Sequence, residues 1–388
     1  MEDSDRESQN FENIKKLASL VEVSCLVHDL GNPPFGHYGE DIIRKWFEKW
    51  FDSEQYNEIV SKNQNESLNE QQKYDFTCFE GNAQTIRILS KLQFLNDKYG
   101  ANFTLATLGT LMKYPWASND EKNKNREKKK FGYFYSEKVL FEAIKQEIGI
   151  DGCRHPATYI VEAADDIAYL TADIEDAVKK RVIDWEKVFK DLEPVLEDNY
   201  KDILKKLNKL RKTAIENKVP NIDLINVQNF KVYIQGILIN AVTKSFKQNY
   251  DAIMKGNFEG DLLSKSEASK LVESLKNVAF KYVFVDKEVL TLELVGDKVI
   301  TDLLDMFVNA VINVKSLSKA KTKHEKLVHL ISENFMYVHQ FSDEGNPEIE
   351  FEELTLYNKL QLVTDFISGM TDGYAVNLHQ ELLGVKLP

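Results

Sequence analysis

Apolar residues recur at spacings of three and four along most of the chain, which is the pattern of helices with one buried face. The first such segment covers residues 10–28, with Asn10 as its predicted N-cap. It is predicted to end at Gly31, because the two prolines that follow cannot continue a helix. Its apolar face consists of Phe11, Ile14, Leu17, Val21, Cys25 and His28.

The same periodicity predicts helices over most of the remaining chain. Ser136 is the expected cap of one of them, and Pro156 is expected to open another. Polar composition predicts loops at Ser53–Tyr74 and at 120–130. A Val-rich stretch at 282–295 is ambiguous, but the helical period resumes directly after it. The predicted helices are 38–51, 79–96, 103–113, 136–148, 156–178, 185–218, 223–256, 264–280, 286–316, 320–340 and 351–383. The predicted fold class is all-α.

Composition agrees with a folded helical protein. The 388 residues are 43% hydrophobic and 29% charged, a mixture that can bury a sizeable core and excludes a largely disordered chain. Only 17 glycines and 8 prolines are present, which argues against turn-dense β folds. The length is typical of two domains or of one large one.

Charge and cysteine content restrict the partners. A formal net charge of −12 argues against nucleic-acid binding, so an anionic substrate needs a local cation cluster or a metal. Cys25, Cys78 and Cys153 form no CxxC pair, which excludes a cysteine zinc site and fits a reducing compartment. The polar N-terminus and the lack of an apolar run of roughly 18 residues predict a cytoplasmic protein without a membrane span.

The strongest chemical signal is the segment HDLGNPPFGHYGE at residues 28–40. His28 and Asp29, adjacent at a helix end, can both reach one divalent cation through a nitrogen and an oxygen. The glycines and prolines can turn the chain so that His37 returns to the same cleft, with Glu40 on its side of a restarted helix. A histidine with a carboxylate partner is a natural proton carrier near neutral pH. A purely structural turn is the alternative.

A second constellation lies in the segment YIVEAADDIAYLTADIEDAV at residues 159–178. Asp165, Tyr169 and Asp173 step by four, so they form one stripe along a helix. Aspartate is a poor residue for a helix interior, so its repeated use there needs a reason. One reading is a solvated acidic face; the other makes Asp165 a metal ligand and places Tyr169 and Asp173 in a substrate pocket. Spacing alone leaves both open.

Five segments in this order resemble the dGTPase-type deoxynucleoside triphosphate triphosphohydrolases of the HD-domain superfamily. The segments are HDLGNPPFGHYGE, FEGNAQ (79–84), LMKYPW (111–116), EAADDIAYLTADIED (162–176) and DFISGMTDGYA (365–375). The resemblance implies an HD-domain helical bundle with additional C-terminal helices. It places the catalytic core at residues 1–180 and a C-terminal region packing on that core at 181–388. It also implies metal-dependent hydrolysis of a dNTP, with dGTP favoured, to deoxynucleoside and inorganic triphosphate.

The resemblance also assigns roles residue by residue. The implied ligands of a divalent ion such as Mn²⁺ or Mg²⁺ are His28, Asp29 and Asp165. The implied catalytic pair is His37 and Glu40, and the implied deoxyribose contacts are Tyr169 and Asp173. Glu80 and Asn82 match a polar patch beside the catalytic site, where Asn82 is a candidate substrate contact. Candidate cations for the triphosphate, by position, are Lys113, Lys129, Lys130 and Arg154, although the two adjacent lysines are equally explained as solvated charges.

One feature departs from the family pattern. The family carries a first metal-binding histidine well before the HD pair, in a segment resembling R-x-x-H-S-x-E-V, and none of the 27 residues before His28 is a histidine. The expectation is a chain that lacks the family's N-terminal portion. Two alternatives stay open: a catalytically impaired nucleotide-binding scaffold and another HD-type nucleotide phosphohydrolase. The resemblance further implies a homo-oligomer, and some members of the family carry nucleotide effector sites between subunits. The lack of an apolar run separately predicts no membrane partner.

Overall fold

The computed structural model describes residues 2–93, 100–121, 130–314, 316–317, 320–340 and 349–387. This part of the chain is helical almost throughout and contains no β-sheet; an isolated bridge pairs Ala117 with Tyr133. The predicted all-α fold is therefore confirmed. The α-helices are Glu2–Val27, Gly36–Phe51, Glu54–Lys62, Glu70–Thr77, Gly81–Arg87, Leu105–Leu111, Lys138–Ile148, Pro156–Lys179, Trp185–Asn199, Lys201–Glu216, Ile222–Gln248, Tyr250–Met254, Ser269–Val278, Lys287–Asn313, Lys323–Val328, Glu333–Gln340, Leu356–Ser368 and Asp372–Leu382.

The predicted loop at Ser53–Tyr74 is wrong, because this segment contains the helix Glu54–Lys62 and most of the helix Glu70–Thr77. Two of its polar residues, Ser53 and Asn69, are helix N-caps. The Ser53 hydroxyl accepts the Tyr56 N–H, and Asn69 opens the second helix with a capping box. Polar composition here indicates helix starts rather than the absence of helices.

Two smaller expectations also change. Ser136 does not cap a helix: it lies in the 3₁₀ turn Tyr135–Glu137, where its hydroxyl donates to the Glu137 carboxylate at 2.8 Å. The α-helix starts one turn later, at Lys138–Ile148. Of the charged loop predicted at 120–130, residues 122–129 lie outside the described residues, and Lys129 with them.

The chain divides into two compact units, each built from two stretches of sequence. We call Glu22–Arg154 with Leu292–Pro388 the histidine unit, and Met1–Val21 with His155–Thr291 the aspartate unit. The limits of these units lie at residues 21/22, 154/155 and 291/292, and not at residue 180. The expected domain boundary at residue 180 stays a prediction. Among the helices described, none is long and apolar enough to cross a membrane.

The aspartate unit is organised around two long helices. The helix Pro156–Lys179, which we call the aspartate helix, packs against the helix Ile222–Gln248. Ile174 of the first and Phe230 of the second are fully buried in the shared core, where Phe230 meets Trp185 edge to face. One side of the aspartate helix is therefore fixed by apolar burial.

The histidine unit has a core rich in phenylalanine. Phe47, on the helix Gly36–Phe51, contacts Phe76 with ring centres 4.7 Å apart. Phe307 and Phe366 contact each other in the same cluster, which joins the N-terminal and C-terminal stretches of this unit. Burial of Phe47 near its end holds the helix Gly36–Phe51 in place, and the first turn of that helix carries the histidine and glutamate described next.

Candidate active site

The HD segment forms a tight reversal between two helices of the chain. It starts directly after the helix Glu2–Val27 and ends in the helix Gly36–Phe51. Phe35 and Gly36 both have left-handed backbone conformations, with φ of 63° and 59°, and together they turn the chain into the second helix. The Phe35 N–H donates to the Asp372 carboxylate at 2.9 Å, which stabilises the unusual conformation.

Two glycines of the segment are required by close backbone contacts. A Cβ atom at Gly31 would lie 2.1 Å from the carbonyl oxygen of Gly81, and one at Gly39 would lie 2.0 Å from that of Pro34. No side chain fits at these distances, so the turn rests directly on the start of the helix Gly81–Arg87. The turn inferred from the sequence is present.

His28 and Asp29 present a nitrogen and an oxygen to each other at the start of this turn. The His28 Nδ1–H donates to the Cys25 carbonyl at 2.7 Å, so Nε2 is the nitrogen left for other partners. That Nε2 lies 3.3 Å from Oδ2 of Asp29. At this distance the lone pairs of the nitrogen and the oxygen repel each other unless a proton or a metal ion lies between them. A histidine oriented through its other nitrogen and an adjacent carboxylate fit a divalent ion.

Electrostatics keep the Asp29 carboxylate ionised. The hydrogen bond from His28 lowers the pKa of Asp29, against its partial burial, and the nearby imidazoles of His28 and His37 act in the same direction. An ionised carboxylate is the form that binds a metal ion.

His37 and Glu40 form a pair on the first turn of the helix Gly36–Phe51. The His37 Nδ1–H donates to Oε2 of Glu40 at 3.2 Å. The His37 side chain is 78% exposed, whereas the Glu40 side chain is 1% exposed. The hydrogen bond to Glu40 raises the pKa of His37, and the Glu40 charge adds to this effect. Since Nδ1 is held by Glu40, Nε2 is the nitrogen that can exchange a proton with a substrate.

Glu40 belongs to a buried arrangement of four charges, which we call the ion cluster: Glu40, Arg44, Glu80 and Lys130. Oε2 of Glu40 lies 3.1 Å from the Arg44 guanidinium and 3.3 Å from the Lys130 ammonium. Burial alone would raise the pKa of Glu40. The hydrogen bond from His37 and the charges of Lys130 and Arg44 outweigh it and lower the pKa to about 2. Glu40 is therefore ionised at neutral pH.

Glu80 is the second acid of the ion cluster. Its Oε2 lies 2.6 Å from the Lys130 ammonium and 3.6 Å from the Arg44 guanidinium. Burial and the charge of Glu40 raise the pKa of Glu80. The two carboxylates thus share two cations, which fixes their positions relative to each other. Asn82, two residues further along the chain, donates its side-chain N–H to Oε1 of Glu80.

Sequence reasoning missed the ion cluster. Arg44 was not singled out, although it follows Glu40 by four residues on one helix, a spacing that favours an ion pair. Lys130 was interpreted as a phosphate contact or a solvated charge, but it is largely buried between Glu40 and Glu80. Only the folded chain brings residue 130 to residues 40 and 80.

Two other predicted phosphate cations, Lys113 and Arg154, also belong to the histidine unit. The Arg154 guanidinium lies 5.9 Å from the ring centre of Tyr114, and Lys113 directly precedes that tyrosine in sequence. The segment around residue 113 is thus placed next to Arg154. Their role as phosphate contacts stays a prediction.

The aspartate unit carries the remaining candidates on the aspartate helix, Pro156–Lys179. This helix has nearly the predicted bounds, and His155 caps it by accepting the Ala157 N–H at Nδ1. Tyr169 is 50% exposed and hydrogen-bonded to Asp173, one turn along. Burial and the charge of Asp173 raise the pKa of Tyr169 to about 12, so the phenol stays protonated. Asp165 lies one turn before Tyr169, on the same stripe.

The acidic residues of the aspartate helix have different environments. Glu175 pairs with Lys231 of the helix Ile222–Gln248 at 2.7 Å, and this hydrogen bond lowers the pKa of Glu175. Burial raises the pKa of Asp173, and the hydrogen bond from Tyr169 opposes this rise. The acidic stripe is therefore more than a uniformly solvated face.

Comparison with known proteins shows the family to which the chain belongs. Residues 305–381 match the phosphohydrolase-associated domain. A deoxyguanosinetriphosphate triphosphohydrolase-like protein of Listeria monocytogenes is 40% identical over 97% of this chain and 79% of its own length. A deoxyguanosinetriphosphate triphosphohydrolase-like protein of Pseudomonas aeruginosa is 30% identical over 96% of this chain and 78% of its own length.

A third relative is named as the enzyme itself, without the suffix "-like protein". The deoxyguanosinetriphosphate triphosphohydrolase of Serratia proteamaculans is 32% identical over 95% of this chain and 79% of its own length. The chain therefore belongs to the deoxyguanosinetriphosphate triphosphohydrolase family, as its five segments predicted.

Proposed function

We propose that the protein hydrolyses a deoxynucleoside triphosphate, with dGTP as the favoured substrate, to the deoxynucleoside and inorganic triphosphate. The observation that carries the proposal is the pairing within one unit of a metal-type His–Asp couple, His28 and Asp29, with a proton-carrying His–Glu pair, His37 and Glu40. The names of the relatives support the substrate class.

A divalent ion would be held by His28 and Asp29, with Asp165 of the aspartate unit as a further ligand. The orientation of the His28 ring by the Cys25 carbonyl supports the first two ligands, and the family pattern supports the third. When bound, such an ion polarises the α-phosphate and lowers the pKa of a water molecule. The donor set of imidazole and carboxylate is compatible with Mn²⁺ or Mg²⁺ and leaves the choice to experiment.

His37 would move the proton of the reaction. Hydrolysis at the α-phosphate breaks the bond between phosphorus and the 5′-oxygen, and water supplies the oxygen that remains on the triphosphate. The departing 5′-oxygen takes up a proton, and Nε2 of His37 can deliver it. The ionised Glu40 stabilises the protonated imidazole through Nδ1, and the raised pKa of His37 keeps that form available near neutral pH.

The remaining predicted contacts would bind the substrate. Lys113 and Arg154 would neutralise phosphate oxygens, and Asn82 would donate to the substrate from the edge of the ion cluster. On the aspartate helix, the Tyr169 ring would exclude a 2′-hydroxyl group and Asp173 would accept a hydrogen bond from the 3′-hydroxyl. The exposure of Tyr169 and its bond to Asp173 support this pairing.

The family resemblance also supports a homo-oligomer that responds to a nucleotide effector. Light scattering after size exclusion, with and without each dNTP, tests this assembly. A monomer at all nucleotide concentrations would contradict it.

The function is tested by incubating the protein with each of the four dNTPs and separating the products by chromatography. We expect deoxynucleoside and triphosphate, no turnover in the presence of EDTA, and recovery when Mn²⁺ or Mg²⁺ is added. Release of pyrophosphate or monophosphate would instead indicate another HD-type nucleotide phosphohydrolase. Nucleotide binding without any turnover would indicate the impaired scaffold.

A further inference from the structure

The helix Gly81–Arg87 touches the HD turn through one hydroxyl group. Oγ1 of Thr85 accepts the Gly31 N–H at 2.9 Å and donates to the His28 carbonyl at 2.9 Å. The Thr85 side chain is 1% exposed, so water does not compete for these bonds. One hydroxyl therefore joins both ends of the four-residue turn that contains His28 and Asp29.

The bonds from Thr85 add to backbone hydrogen bonds within the turn, from the Leu30 N–H to the Val27 carbonyl and from the Asn32 N–H to the Asp29 carbonyl. A helix that ends leaves its last carbonyl groups without partners inside the helix, and the His28 carbonyl is one such group at the end of Glu2–Val27. The Thr85 hydroxyl satisfies it. A Cβ at Gly31 would lie 2.2 Å from the Thr85 backbone nitrogen, which shows how closely the turn lies on this helix.

The same helix is fixed at both of its ends. At its start, the Gly81 N–H donates to Oε1 of Glu40 at 2.7 Å. At its end, the Arg87 guanidinium makes a two-pronged contact with the Asp365 carboxylate, and Gln84 donates to the same carboxylate. A helix held in this way presents the Thr85 hydroxyl in one position.

We propose that Thr85 is a positioning residue for the metal-binding couple. Its hydroxyl sets the backbone of residues 28–31, and that backbone sets the directions of the His28 imidazole and the Asp29 carboxylate. Since its hydroxyl is bonded to the Gly31 N–H and the His28 carbonyl, Thr85 would act through the backbone of the couple and not as a metal ligand. The proposal rests on the metal site of the proposed function, and it concerns the affinity of that site rather than the reaction it serves.

The experiment compares Thr85→Val and Thr85→Ser with the wild-type full chain. Mn²⁺ binding is followed by electron paramagnetic resonance, and thermal unfolding is recorded for each variant. Thr85→Val, which keeps the shape but lacks the hydroxyl, should weaken Mn²⁺ binding by about 10-fold, the lower end of the effect of outer-shell changes. Thr85→Ser, which keeps the hydroxyl, should bind Mn²⁺ within about 2-fold of wild type.

Thr364→Val is the matched control. Thr364 is also buried in the histidine unit, but its hydroxyl donates to the Leu360 carbonyl within its own helix. This variant should lose thermal stability and keep wild-type Mn²⁺ affinity. Equal losses of Mn²⁺ affinity in Thr85→Val and Thr364→Val would reduce Thr85 to a structural role and overturn the proposal.

Other outcomes separate this proposal from the proposed function. Wild-type Mn²⁺ affinity in Thr85→Val overturns the positioning role even when the enzyme turns over dNTPs. Wild-type protein that binds Mn²⁺ without hydrolysing any dNTP contradicts the proposed function, while the Mn²⁺ titrations still decide the role of Thr85. If Thr85→Val does not fold, Thr85→Ala removes the same hydroxyl without the branched side chain, and the same comparison applies.

Discussion

The two units of this protein hold their candidate functional residues in different ways. In the histidine unit, Glu40 and Glu80 are buried and share two cations: Arg44 from the helix of Glu40, and Lys130 from a distant part of the sequence. In the aspartate unit, Tyr169 and Asp173 lie on a half-exposed helix face and contact each other one turn apart. Burial with compensating charges positions the first set, and helical periodicity positions the second.

This difference has an energetic consequence. A buried charge that loses its partner costs several kcal/mol, whereas an exposed pair contributes little. Substitutions of the buried, paired charges in the histidine unit should therefore disturb stability and activity together. Those on the aspartate helix should change activity or metal binding alone.

The largest effect is expected from Asp165→Ala. If the aspartate unit supplies a metal ligand, this change should abolish turnover together with bound metal, because a catalytic ion needs its full set of ligands. Metal content by mass spectrometry and dNTP turnover measure both. Asp166→Ala, one residue along the same helix, is the control and should retain metal and rate. Normal metal content and rate in Asp165→Ala would show that the ligand assignment is wrong.

A smaller loss is expected from His37→Gln. Removing a general acid should lower kcat by about 10²- to 10⁴-fold, because the departing oxygen loses its proton donor. The metal should stay bound, since His37 is not one of the proposed ligands. Turnover at saturating dNTP and metal content, measured on the same sample, distinguish proton transfer from metal binding. Loss of the metal along with the rate would place His37 in the metal site instead.

Stability should fall strongly in Asp365→Asn. Arg87 and Asp365 are both fully buried, and the change leaves the Arg87 charge without its main partner, at a cost of about 3–5 kcal/mol. Urea denaturation measures the change. Asp191→Asn is the comparison in the aspartate unit, because Asp191 pairs with Lys281 on the surface and should contribute little. Similar losses in the two variants would contradict the contrast between the units.

The smallest effect concerns pH. Burial raises the pKa of Asp75 to about 7, although Ser118, Tyr135 and Tyr357 donate hydrogen bonds to its carboxylate. A folded-state pKa above the unfolded value of 3.8 favours folding at low pH, and this contribution is lost as pH rises through 7. Between pH 5 and 7 wild type should lose about 2 kcal/mol relative to Asp75→Asn. Parallel stability curves for the two proteins would show that Asp75 does not titrate in this range.

Sequence patterns predicted helices and contacts between residues close in sequence, and they missed contacts between residues far apart in sequence. The aspartate helix was predicted within one residue at its C-terminal end, because its apolar period, its opening proline and its length all agree. The segment Ser53–Tyr74 was misread, because capping residues and loop residues have the same composition. The His37–Glu40 pair follows from a spacing of three residues on a helix.

The ion cluster could not be predicted in this way. Its members come from the helix Gly36–Phe51, from the residue before Gly81 and from residue 130, and no periodicity links these positions. Their meeting depends on how three segments pack. The same holds for Thr85, whose sequence neighbours give no sign of its bonds to His28 and Gly31.

The net charge of the ion cluster also affects the long-range electrostatic attraction of an anionic substrate to the protein. With both carboxylates ionised, Glu40 and Glu80 balance Arg44 and Lys130, so the four charges sum to zero and their combined field fades quickly with distance. In a chain of net charge −12, long-range attraction for a polyanion then has to come from cations elsewhere. Added salt should therefore slow the capture of nucleotide far more than it slows proton transfer at His37.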